Sequence, residues 1–220
     1  MKILVLGATG MAGHTIALYF KKQGHEIVSY SRTPFIFTYN IIGDVCDTKK
    51  FKAVLLEGHY DAVINCIGIL NKDAENNISK AIYLNSYLPH LIADTLKETK
   101  TKLVHMSTDC VFAGNTGPYC EESFCDGKTF YDRTKAMGEV NDNKNLTFRN
   151  SIIGPDLNQN GIGLFNWFMK QKSPVNGYSG AIWTGVTTLT LAKAMEQAIE
   201  QDLRGLYNLV IMKVFPSMIY

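Results

Sequence analysis

Tyr131 and Lys135 bracket the stretch Tyr131-Asp132-Arg133-Thr134-Lys135. On a helix, that spacing sets a phenol and an ammonium on one face. A phenol with a pKa of about 10 is a poor acid or base near neutrality. A neighbouring ammonium favours phenolate and draws that pKa toward the working range. Thr108, which follows Ser107 at the end of the apolar run 102–107, adds a hydroxyl that can hydrogen-bond a carbonyl oxygen. Together the three residue types suit proton delivery to a ketone oxygen.

A second constellation suits an anion. Gly7-Ala8-Thr9-Gly10-Met11-Ala12-Gly13 reads G-x-x-G-x-x-G, directly after an aliphatic run at 2–6. A diphosphate needs backbone N–H groups at close range, and a Cβ obstructs that approach. Gly7 permits a tight turn, Gly10 brings the backbone near a pyrophosphate, and Gly13 lets a helix pack on the sheet. The helix N-terminus then offers unpaired N–H groups and the positive end of its dipole. A strand expected at 25–30 is followed by Ser31-Arg32, with no carboxylate to bind a ribose 2′-hydroxyl. Arg32 and Ser31 suit a 2′-phosphate instead. The expected cofactor is therefore NADP(H) in preference, with NAD(H) as the alternative.

The elements that must hold these residues alternate. Strand-like runs fall at 2–6, 25–30, 61–67, 102–107 and 146–149. Helical spacing falls at 11–23, 78–97, 131–140, 162–172 and 188–200. Short apolar strands between helices predict parallel β-α-β units with right-handed crossovers. The expected fold class is α/β, a Rossmann-type doubly wound parallel sheet. Residues 1–150 form the expected NAD(P)-binding domain. Residues 151–220 form a small, partial substrate-binding region interleaved with it.

Composition agrees with a globular enzyme. Of the 220 residues, 46% are hydrophobic and 19% charged, which allows a sizeable core. A net charge of +2 without single-sign runs gives no reason to expect a nucleic-acid or membrane partner. No stretch approaches the roughly 18 apolar residues of a membrane span. Cys46, Cys66, Cys110, Cys120 and Cys125 are odd in number and lack a Cys-x-x-Cys pair, so reduced thiols and a cytoplasmic location are expected. His14, His25, His59, His90 and His105 show no metal-ligand spacing, and no metal is expected.

With these residues in view, the chain resembles the extended short-chain dehydrogenase/reductases, and within them the dTDP-4-dehydrorhamnose reductase family. The resembling pieces are GATGMAG at the start, GDVCD at 43–47, NCIG at 65–68, LNSYLPH at 84–90, MSTDCVFAG at 106–114, YDRTKAMGE at 131–139 and RNSIIGP at 149–155. The resemblance implies NAD(P)H-dependent reduction of the C4 ketone of a nucleotide-linked 4-keto-6-deoxy sugar, in the synthesis of surface polysaccharide precursors. It makes Thr108, Tyr131 and Lys135 the catalytic residues. It places Asp44 on the adenine side of the cofactor, with Val45 beside it. Asn65, Cys66, Ile67 and Gly68 line the cofactor after the fourth strand, and Thr9, Met11 and Met106, with Tyr131 and the ribose-binding Lys135, complete the set. Asn85, Asp109, Val111 and Arg149 match positions near the substrate, and Trp183 is a further pocket candidate. Cys110 stands where an aromatic is more usual, and IWTGVTTLTLAKA at 181–193 is similar to a subgroup that includes reductases of UDP-linked amino sugars, so dTDP and UDP both remain open as the nucleotide. The family sometimes dimerises, so a homodimer is compatible with the resemblance. An epimerase or dehydratase, or a non-catalytic NADP(H)-binding sensor, are the competing readings.

The family-like text runs to Val210 and gives way to IMKVFPSMIY, which has neither helical nor strand periodicity. One extra A in a possible coding string restores a polar, family-like continuation. The segment after about 210 is therefore expected to be a frameshifted tail that shortens the substrate-binding part.

Overall fold

A computed structural model describes residues 1–158, 161, 163–211 and 215–217, with positions 178, 179, 181 and 215–217 as backbone only. Seven parallel strands form its central sheet. The chain begins β1 (Lys2–Leu6), α1 (Met11–Lys22), β2 (Glu26–Ser31), β3 (Tyr39–Ile42), α2 (Thr48–Glu57) and β4 (Ala62–Asn65). Two short helices follow, α3 (Asn71–Asn76) and α4 (Ile78–Ala81), then a π-helical turn at Ile82–Tyr87 that runs into α5 (Leu88–Leu96). Next come β5 (Lys102–Met106), α6 (Phe130–Met137), β6 (Leu146–Arg149), β7 (Ile152–Ile153) and α7 (Leu164–Met169). The last elements are β8 (Tyr178–Trp183), β9 (Val186–Thr187), α8 (Thr188–Glu200), β10 (Gly205–Asn208) and β11 (Phe215–Ser217).

The sheet order is β10-β6-β5-β4-β1-β2-β3, so the chain reverses direction of growth beside β1. Every neighbouring pair in this sheet is parallel. This is the Rossmann-like α/β architecture that the alternation predicts. Side chains along β1 alternate between the two faces. Ile3 and Val5 pack with Ile16 and Phe20 of α1 and with Leu191 and Met195 of α8. Leu4 and Leu6 pack with Phe51 and Leu55 of α2 and with Leu88, Ile92 and Leu96 of α5. Each such fully buried side chain contributes roughly 1.5–3 kcal/mol of burial free energy. Although it lies beyond residue 150, β10 extends the main sheet by pairing with β6.

The structure adds to the sequence reading and differs from it at several points. The strand β3 and the helix α2 carry too little apolar periodicity to stand out, because β3 is an edge strand with Tyr39 and Ile42 exposed. The stretch expected as one helix at 78–97 contains the π-helical turn. The helix expected at 162–172 is limited to Leu164–Met169, and residue 162 lies outside the described residues. Most of the tail expected to be frameshifted, 212–214 and 218–220, also lies outside the described residues, while β11 pairs antiparallel with β8. Among the described residues no helix is long and apolar enough to cross a membrane.

Candidate active site

The glycine turn links β1 to α1. Gly7 has φ of 77°, a left-handed conformation that L side chains rarely adopt. A Cβ on Gly13 would sit 2.2 Å from the Gly7 carbonyl oxygen, so only glycine lets α1 pack this close to the turn. No side chain caps the start of α1, and its leading N–H groups keep the character of an anion site.

A cleft of about 520 Å³ opens along this turn. Its walls include the expected residues Gly7, Thr9, Gly10, Ser31, Arg32, Asp44, Val45, Cys66, Ile67 and Gly68. Met11, Gly13, Met106, Tyr131 and Lys135 are not among them. Sequence reasoning missed Tyr30, Lys80 and Leu84, which also line the cleft. Lys80 comes from the short α4 and acts on Asp44 and Cys46 across the cleft, a placement no motif signals. Burial, with Asp44 and Asp47 close by, pushes the Tyr30 phenol up to about 12. Asp44 accepts a hydrogen bond from the Cys46 backbone N–H at 2.9 Å, which holds its carboxyl below the usual range. Arg32 is exposed. Ser31 is buried, donates to the Thr33 carbonyl at 2.7 Å and accepts from Asn40 at 3.0 Å, so its hydroxyl already has partners.

The second half of the site is built at the ends of β5 and β6. A capping box starts α6: the Thr129 hydroxyl accepts from the Asp132 N–H at 3.1 Å, and the Asp132 carboxylate accepts from the Thr129 N–H at 2.9 Å. Glu75 accepts from the Phe130 N–H at 2.6 Å, which ties the same helix end to α3. These contacts fix where Tyr131 points. Its ring packs with Ile69, Ala74 and Ala81. Burial is the main force that drives its phenol well above the usual range, and nearby acids and Cys110 add to it. The Thr108 hydroxyl acts in the opposite direction. Thr108 itself is buried, donates to Asp109 at 3.3 Å and accepts from the Cys110 N–H at 3.2 Å.

One turn along α6, Lys135 is also buried, and burial lowers its ammonium to about 8. The Nζ donates to the Met106 carbonyl at 2.5 Å. The strongest influences on the Tyr131 phenol are burial, the Thr108 hydroxyl, Cys110, Asp109 and Asp132, while Lys135 sits one turn along the same helix.

The expected substrate residues divide into two sorts. Asp109 is partly exposed beside Thr108. Asn85 is fully buried, accepts from the Ile69 N–H at 2.9 Å, and donates to the Ile69 carbonyl at 3.0 Å and the Thr134 hydroxyl at 3.2 Å. Asn65, fully buried at the end of β4, accepts from the Ile67 N–H at 3.1 Å and so shapes the same loop. Val111 is fully buried and Arg149 nearly so, the latter in an ion pair with Glu139. The Trp183 indole N–H donates to Ser151 at 2.9 Å, and its ring crowds Gly185.

Away from this site, the fold brings His25 to 2.9 Å from Glu196 and near Glu200, a grouping that sequence spacing hides. Both Glu196 oxygens already accept hydrogen bonds, one from His25 and one from Tyr19 at 2.6 Å.

Sheet order, glycine turn and cleft together define a Rossmann-like α/β protein. The model of the RmlD substrate binding domain family matches residues 1–210, and the chain belongs to that family. Among curated proteins it is 30% identical over 142 residues to the spore coat polysaccharide biosynthesis protein SpsK of Bacillus subtilis, covering 63% of this chain and 47% of that one. The chain thus spans about half the length of the curated relatives it matches. A crystal structure of a hypothetical dTDP-4-dehydrorhamnose reductase from Sulfolobus tokodaii is 22% identical, covers 99% of this chain and 78% of its own, and superposes with a TM-score of 0.83. The Bordetella bronchiseptica enzyme WbmG, solved in complex with NAD and UDP, is 17% identical, covers 97% and 74%, and has a TM-score of 0.80.

Proposed function

We propose that the chain carries the cofactor-binding and catalytic part of an NAD(P)H-dependent reductase acting on the C4 ketone of a nucleotide-linked 4-keto-6-deoxy sugar. The observation that carries this reading is the meeting of Thr108, Tyr131 and Lys135 at the carboxyl ends of the strands. Ligands of open α/β sheets bind at that edge. Family membership and the names of the relatives support the same class of reaction.

The residues present fit a dinucleotide. Gly7 and the uncapped start of α1 suit the diphosphate, and Asp44 with Val45 suits the adenine. A bound nicotinamide cofactor supplies hydride to the ketone carbon. Tyr131 gives its proton to the alkoxide oxygen that develops on the sugar. The Thr108 hydroxyl donates a hydrogen bond to that oxygen. Lys135 holds a ribose hydroxyl and contributes positive charge at the reacting edge. Arg32 and Lys80 both line the cleft, β2 ends without an acid, and NADPH is the preferred cofactor in this reading.

The decisive experiment follows NADPH oxidation by absorbance with dTDP- and UDP-linked 4-keto-6-deoxy sugars, beside Tyr131→Phe. Turnover that the substitution abolishes supports the reductase and identifies the nucleotide. Tight NADPH binding without turnover of any ketone would overturn it and favour the non-catalytic reading.

A further inference from the structure

Glu139 lies one turn beyond Lys135, just past the end of α6, with a side chain only 7% exposed. Its Oε1 accepts from the Ser107 hydroxyl at 2.7 Å and from Arg149 Nε at 2.8 Å. Its Oε2 accepts from Arg149 Nη2 at 2.7 Å. One buried carboxylate therefore binds the residue before Thr108 and the last residue of β6. Arg149 passes the connection on: Nη1 donates to the Glu121 carbonyl at 3.0 Å, and the guanidinium lies over the Phe112 ring at 4.9 Å.

Resting on the reductase reading above, we infer that Glu139 is a positioning residue, which fastens the Thr108 segment and the 110–127 loop to the helix that carries Tyr131 and Lys135. Three observations converge on this role. Ser107 is pinned on its other side by its own N–H, which donates to the Phe148 carbonyl at 2.7 Å, so the Glu139 contact completes the fixing of the Thr108 backbone. A bidentate, charge-assisted pair of this kind is geometrically specific, and breaking it by removing one partner leaves a buried charge alone. The negative charge of the carboxylate also acts on Lys135 from one turn away and favours its ammonium form. The titratable groups around that ammonium are Glu139 past the helix end, Cys66 on the loop after β4, and His105 on β5. Burial drives Cys66 up to about 12 and His105 well below its ordinary value. Both are neutral where Lys135 titrates, which leaves Glu139 as its counter-charge.

The test uses the full chain and the variants Ser107→Ala, Glu139→Gln and Glu139→Asp. Hydrogen exchange followed by mass spectrometry on the free protein reads the fastening without any substrate. Ser107→Ala and Glu139→Gln are expected to speed exchange across 107–112 about tenfold and leave β1 unchanged. In turnover, Ser107→Ala should lower kcat about tenfold with little change in cofactor KM, because the reacting groups are misplaced while the cofactor cleft is intact. Glu139→Gln should also move the alkaline limb of kcat to lower pH, since Lys135 loses its counter-charge. Glu139→Asp should restore the limb and part of kcat. If Glu139→Gln does not fold, Ser107→Ala still decides, because it keeps the ion pair. Unchanged exchange and unchanged kcat in folded Ser107→Ala overturn the inference, as does an unmoved limb in folded Glu139→Gln. A wild-type chain without turnover overturns the reductase reading instead, and the exchange result then decides the positioning role alone.

Discussion

Lys135 and Met106 are joined by a hydrogen bond of 2.5 Å from the buried ammonium to the backbone carbonyl at the end of β5. This contact places a charge where the fold would otherwise bury apolar atoms. A charge in such a place costs stability and is retained when chemistry needs it.

That cost should be visible as a pH dependence. The folded Lys135 releases its proton at about 8, whereas an unfolded lysine holds it until about 10.4. Between these values the unfolded chain binds more protons, so stability of the wild type rises with pH relative to Lys135→Met. Chemical denaturation of both proteins should show the difference moving in the wild type's favour by about 3 kcal/mol between about pH 7 and about pH 11. A constant difference would show that the ammonium is not held in a poorly solvated place.

Tyr131→Phe should lower kcat by roughly 10²–10⁴, the usual worth of a positioned proton donor. Its NADPH dissociation constant should stay within a few-fold of the wild type, because Tyr131 does not line the cleft beside the glycine turn. Fluorescence titration of NADPH, run beside the turnover assay, separates the two effects.

Arg32→Ala should weaken NADPH about tenfold to a hundredfold while leaving NADH nearly unchanged, as the loss of one charge-assisted contact to a phosphate predicts. Lys80→Ala should act in the same direction and less strongly, since it flanks the cleft from α4. Equal losses for both cofactors would assign Arg32 to a role other than 2′-phosphate recognition.

Gly13→Ala brings a methyl group to within 2.2 Å of the Gly7 carbonyl oxygen. Neither backbone segment can yield without moving α1 off the sheet. Thermal melts should show a loss of about 1–3 kcal/mol, together with weaker cofactor binding. A Gly24→Ala control has open space around its Cβ, yet its φ of 87° makes the change mildly strained, so a smaller loss is expected there.

Asn85→Ala removes three hydrogen bonds at once and leaves the Ile69 N–H and carbonyl without their partner. A loss of about 2–3 kcal/mol is expected. The loop after β4 should then exchange its amide protons faster, which mass spectrometry of that segment would report.

The sheet and the glycine turn were legible in the sequence because their signals are local. Gly7 and Gly13 sit where a strand becomes a helix, and Tyr131 and Lys135 share a helix face by spacing alone. The contacts that hold the other expected residues were not legible, because they join segments that sequence spacing does not connect. Asn85 grips Ile69 from sixteen residues away, and Arg149 pairs with Glu139. Lys80 lines the cleft from α4, far in sequence from the β2 residues opposite it. His25 meets Glu196 from 171 positions away, a distance that spacing rules do not span.

The π-helical turn at Ile82–Tyr87 holds one residue more than an α-helical turn would. Its effect is on phase. The helix before it and the helix after it present their apolar stripes about 100° out of step, and Asn85 sits at the change. Deleting a single residue there would straighten the helix and rotate everything upstream relative to α5. Among relatives, length differences at this point would therefore mark a change in how the β4 loop is held, and a protein engineer could use that one position as a dial for the shape of the cleft.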